Sequence, residues 1–112
     1  MIPPPVNPRH QINTDRLNIL SERLEELFAQ LAACGKHPPQ ELADELAVTA
    51  GEIMIELADI GVGNHVSEAL EDARRLREVA RTLSPDPAQL IRGGEALTRD
   101  VEMVIRSDLR AA

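Results

Sequence analysis

Leu17, Leu20, Leu24, Leu27, Leu31 and Cys34 alternate spacings of three and four. An α-helix brings residues at such spacings onto one face, so the pattern predicts an amphipathic helix over about 14–34. Thr14 is the expected N-cap and Gly35 the stop. Phe28 widens the seam beyond two positions per heptad, which suits a bundle better than a two-stranded coil. Gly35-Lys36-His37-Pro38-Pro39 then reads as a tight reversal, with proline opening the next helix.

Leu42, Leu46, Ala50, Ile53, Leu57 and Ile60 set the buried face of a second helix, over about 39–60, which Gly61 and Gly63 end. Ala69, Ala73, Leu76, Ala80 and Leu83 give a third over about 65–83, with Val66, Leu70 and Val79 beside the seam and Asn64 as N-cap. Asp86-Pro87-Ala88-Gln89 has capping-box spacing with proline at the first helical position. It opens a fourth helix over about 87–109, with Leu90, Leu97, Val101, Val104 and Ile105 inward. Gly93-Gly94 interrupts that helix as a kink, a break or a close helix crossing. Before the first helix, Pro3, Pro4, Pro5 and Pro8 predict an extended arm over residues 1–13. The expected fold is all-α: one domain over 14–112, with short connections that favour a four-helix up-down bundle.

The second helix carries two further patterns. Val48, Gly51, Ile55 and Val62 form a second apolar strip away from the core face, and a helix apolar on two sides is either central or contacts something besides its own core. Glu45, Glu52 and Asp59 recur every seven residues, with Glu56 beside them, on the side opposite the core.

Composition narrows the function classes. Phe28 is the only aromatic residue, so the core is aliphatic and stacking on bases is not a main binding mode. The net charge is −7, which repels phosphate backbones and argues against nucleic acid. Nine carboxylates and no Lys or Arg lie between Lys36 and Arg74, so the acidity sits in one block. Cys34 stands alone, which excludes an intramolecular disulfide and points to a reducing, cytoplasmic setting. No apolar run is long enough to span a membrane, and the first residues lack the basic-then-apolar order of a signal peptide.

Candidate chemistry is sparse. Glu52, Glu56 and Asp59 share one helix face, and clustered carboxylates suit hard divalent cations. Glu22-x-x-Glu25, with Glu41-x-x-Asp44 or Glu56-x-x-Asp59, resembles the ExxE and ExxD pairs of the MazG-type all-α nucleoside-triphosphate pyrophosphohydrolases. The resemblance covers only those short patterns; it implies Mg²⁺ held between bundle helices. The competing reading is a solvated acidic face. His65 lies near a helix start, where a structural use is favoured over phosphotransfer, and His10, His37 and His65 lack metal-ligand spacing. Cys34 on the seam reads as a buried, inert thiol. No residue is therefore nominated as catalytic, cofactor-binding or metal-ligating.

The expected activity is association, as a homodimer or as a docking module for another protein. Its alternatives are an adaptor or chaperone-like binder of a basic or amphipathic segment, and the Mg²⁺-dependent hydrolase. The nominated surface is Val48, Ile55 and Val62 with Glu45, Glu52, Glu56 and Asp59. Arg92, Arg99 and Arg106 recur every seven residues on the fourth helix and share the spacing of the acid stripe; two independent solvated faces are the favoured reading, and a meeting of the two stripes across a subunit contact is the alternative.

Overall fold

The computed structural model describes residues 8–109. They form four α-helices: α1 (Pro8–Ala33), α2 (Gln40–Ile60), α3 (Val66–Ala80) and α4 (Pro87–Met103), the last continued by a π turn, Val104–Asp108. No helix among the described residues is long and apolar enough to cross a membrane. Each helix packs on two others: α1 on α2 and α4, and α3 on α2 and α4.

The core is the aliphatic seam expected from the spacing. Leu17, Leu24, Leu31, Leu46, Ile53, Leu57, Leu76, Leu90, Leu97, Val101 and Val104 are all fully buried. Burying a leucine or isoleucine side chain stabilises a fold by about 1.5–3 kcal/mol, so this seam dominates the energetics. Some expected members differ. Ile60 and Ile105 are only partly buried against the core. Cys34 is half-buried at the end of α1. Leu83 is fully exposed, because α3 ends at Ala80, one turn before it.

The start of α1 corrects the expected boundary. The helix begins at Pro8, so residues 8–13 are helical and not part of an extended arm. Proline is tolerated at a first helical position, where its missing N–H has no intrahelical partner in any case. Thr14 is therefore interior, and its hydroxyl donates back to the His10 carbonyl at 2.8 Å instead of capping. Residues 1–7 of the expected arm lie outside the described residues.

Asn64 is not the cap of α3. The carboxylate of Asp108, in the π turn at the far end of the chain, accepts from the backbone N–H of Asn64 at 3.1 Å and of His65 at 2.8 Å. This joins the α2–α3 connection to the end of α4 and sets a negative charge just before the first turn of α3. It also fixes Gly63: a Cβ there would lie 2.7 Å from the Asp108 carboxylate oxygen. At α4 the expected cap holds, with Asp86 Oδ1 accepting from Ala88 N at 3.0 Å.

Gly93-Gly94 does not break α4, which runs through both residues. Gly94 is a close crossing. The Phe28 ring lies where its side chain would be, with Cζ 1.9 Å from an ideal Cβ. The single aromatic residue of the chain thus sits as a knob on a bare stretch of α4 backbone.

Candidate association surface on α1 and α2

The α1–α2 contact is set by a charge pattern on both helices. Arg9, Arg16 and Arg23 recur every seven residues on α1, matching Glu45, Glu52 and Asp59 on α2. Arg9 is bonded to Asp59 through two guanidinium nitrogens. Arg16 Nη1 lies 3.7 Å from Glu56, and Arg23 Nη2 lies 3.6 Å from Glu45. The pairs run in opposite order along the two helices, so α1 and α2 are antiparallel. Asn13, buried among them, donates from Nδ2 to Glu56 at 2.8 Å and to Asp59 at 3.1 Å. The Arg9 hydrogen bond, followed by that from Asn13, holds the Asp59 carboxyl below the usual carboxylate range.

This overturns the outward placement of one nominated residue. Glu56 is 7% exposed, a buried carboxylate satisfied by α1, and not part of a free surface. Glu45 and Asp59 also have basic partners within the chain. Of the heptad stripe, only Glu52 is exposed and unpaired among the described residues. Within the chain, Glu45 and Asp59 of the acid stripe therefore meet arginines of α1. Arg92 and Arg99 are exposed on α4, and Arg106 pairs with Glu102 at 2.6 Å. The α1 arginines escaped the sequence reading because Arg9 fell in the segment read as extended, which left Arg16 and Arg23 without a visible period.

The apolar strip does face outward. Val48 is 59% exposed, Ile55 70% and Val62 fully exposed. The structure adds two residues from α1: Ile12 and Ile19, seven apart, are 49% and 65% exposed. The signal for them was their heptad spacing, masked by the stronger leucine seam. Ile19 and Ile55 flank a shallow hollow of about 260 Å³ between α1 and α2, together with Arg16, Leu20 and Glu52. On the other side of the Val48–Ile55 ridge lies a furrow of about 670 Å³ between α2 and α3. Arg77 crosses it, its Nε 3.9 Å from where a Cβ of Gly51 would stand. Isolated exposed aliphatic residues are ordinary, but Ile12 and Ile19 on α1 with Val48 and Ile55 on α2, each pair seven residues apart, form a stripe on two adjacent helices; Val62 lies past the end of α2.

The carboxylates that carry the hydrolase resemblance are not brought together. Glu22 and Glu25 border a hollow toward α4 with Thr98 and Glu102. Glu56 and Asp59 are held by Arg9, Asn13 and Arg16. Asp44 accepts from Gln40 on its own helix. Among the described residues no three His, Cys, Asp or Glu side chains are placed to share a metal ion. A pair already neutralised by arginines is a poor donor set for Mg²⁺, which needs open carboxylate oxygens and room for water.

A second carboxylate group lies across α3 and α4. Burial, then a hydrogen bond with Asp72 and the charges of Asp72 and Glu68, pushes Asp100 up to about 6, against the opposing pull of Arg99. The folded chain therefore binds this proton more tightly than the unfolded chain. Stability from this site falls as pH rises from the ordinary carboxylate value to about 6, and is level above it. Asp100→Asn is expected to raise the melting temperature by a few degrees at pH 7–8 and to leave it unchanged at pH 4. The gain stays under about 1 kcal/mol because the carboxyl remains partly solvated. Thermal melts of both proteins at the two pH values check this.

Comparison with family models, with curated proteins and with solved structures finds no match for the chain.

Proposed function

We propose that this chain is a helical association module whose partner is a second copy of itself. The observation that carries the reading is the exposed stripe of Ile12 and Ile19 on α1 with Val48 and Ile55 on α2, and Val62 just past the end of α2. The contacts along each packed helix pair, with short connections between helices, support an up-down arrangement, which leaves this face flat and long enough for a like face. Charge favours a like copy over a basic segment. Arg9, Arg16 and Arg23 pair with Asp59, Glu56 and Glu45 and leave Glu52 unpaired, so the face offers both signs to a like copy. The lone thiol of Cys34 fits work in the reducing cytoplasm.

Ile55→Glu tests the reading. It places two charges in the contact, one from each copy, and is expected to weaken the dimer by about 100-fold or more with the helix content intact. Sedimentation equilibrium with circular dichroism measures both. An assembly state indifferent to Ile55→Glu would show that this face is not the contact.

A further inference from the structure

We infer that the two copies are related by a two-fold axis running along the helices, so that α1 of each lies antiparallel on α2 of the other and Arg16 of each meets Glu52 of the other. The inference rests on the association reading above and adds the geometry of the contact. A two-fold axis that brings two copies of one face together lies in the plane of that face. With the helices kept aligned, it runs either across them or along them. The charge pattern of the face distinguishes the two. The arginines of α1 and the acids of α2 stand on the inner edges of their helices, where the chain pairs them. Ile12 and Ile19 lie outside the arginines, and Val48 and Ile55 outside the acids.

An axis across the helices leaves the sideways order of the stripes unchanged. It lays arginines on arginines and acids on acids at any height, so like charges meet along the whole contact. An axis along the helices reverses the sideways order. It lays Ile12 and Ile19 on the Val48–Ile55 ridge and the arginine stripe on the acid stripe. Such an axis also preserves height, so the register follows from the levels within one chain. Arg9 is level with Asp59, and Arg23 with Glu45. Arg16 and Glu52 stand midway along their stripes and are therefore level with each other. By the same count Ile12 is level with Ile55, and Ile19 with Val48, to within about one residue. Glu52, exposed and unpaired within its own chain among the described residues, thus gains Arg16 of the second copy. Both side chains border the hollow beside Ile19 and Ile55, where the second copy would close over them. Apolar contact supplies the affinity, and the charge pattern selects between the two orientations.

Disulfide trapping reads the axis on the full chain carrying Cys34→Ser. A disulfide needs Cα atoms within about 7 Å, which only facing positions reach. Ile19→Cys and Val48→Cys, purified separately and mixed in a glutathione redox buffer, are expected to form a covalent dimer holding one of each. A mixture of Ile12→Cys and Ile19→Cys, which face each other only about an axis across the helices, is expected to form at least about 10-fold less. Glu52→Arg sets a second cation against Arg16 and is expected to weaken the dimer by about 10-fold or more in sedimentation equilibrium. Glu52 has no ion pair within its own chain, so helix content by circular dichroism stays at the parent's level. A parent chain that is monomeric at about 100 μM overturns the pairing and this inference together. So does a dimer in which neither mixture is joined, because the face is then not the contact. Preferential joining of Ile12→Cys to Ile19→Cys, or a dimer indifferent to Glu52→Arg, overturns the axis alone.

Discussion

Gly94→Val is expected to destabilise the fold by about 3 kcal/mol, while Gly93→Ala, one residue earlier, stabilises it by about 0.5–1 kcal/mol. The contrast follows from what each added Cβ meets. At Gly94 it would stand 1.9 Å from Phe28 Cζ and 2.1 Å from Cε1, so the ring must leave its seat against α4. Moving an aromatic ring out gives up burial on both helices, and a β-branched side chain recovers little helix propensity in return. At Gly93 the nearest atom is Leu76 Cδ1 at 3.6 Å, an ordinary contact, so the gain in helix propensity from glycine to alanine is left uncancelled. Urea denaturation of the two variants measures both signs. Combining Gly94→Val with Phe28→Ala should cost less than the sum of the two single changes, because the clash is then absent.

The second large effect is at Asn13. Asn13→Asp replaces a neutral amide that donates to Glu56 and Asp59 with a third carboxylate at the same buried point. The donor is lost and three negative charges converge, with Arg9 and Arg16 unable to satisfy all of them. A loss of about 3 kcal/mol at pH 7 is expected. The sign with pH is definite. The new carboxyl has a folded pKa above its unfolded value, so the penalty exists at neutral pH and shrinks as pH falls through the carboxylate range. Asp59 opposes this at the low end: its folded pKa is depressed, so the stability it supplies is lost on acidification. Melting curves of the variant and the parent between pH 7 and pH 5 check the convergence.

The helical architecture was legible because the leucine and alanine spacings repeat without interruption, and burial alone decides such faces. Boundaries failed where a single residue carries opposite meanings. Pro8 signals an extended chain when read with Pro3, Pro4 and Pro5, yet it is a good first helical residue. Asn64 has the chemistry of a cap, but the N-cap position falls at His65, whose N–H donates to Asp108, 43 residues away in sequence. No local pattern reports such a contact. The glycine pair in α4 was visible as a question, and only the position of Phe28 answers it.

The surface was half legible. Val48, Ile55 and Val62 stood out as apolar positions off the core face, and they are exposed. The intrachain partners of the acid stripe, Arg9, Arg16 and Arg23, were missed. Two arginine heptads of identical spacing exist, on α1 and α4, and the choice between them depends on which helix packs against α2. Glu56 shows the same limit: one turn from Glu52, it falls on the α1 side of α2 and is buried, while Glu52 stays exposed. Helical position gives an angle, and only packing decides whether that angle faces water.

The central claim is that the α1–α2 face joins two copies of the chain. The most direct measurement is the mass of the unmodified protein by sedimentation equilibrium across a range of micromolar concentrations. The account predicts a particle of twice the 12.3 kDa chain mass that dissociates on dilution. A particle of single-chain mass throughout that range contradicts it.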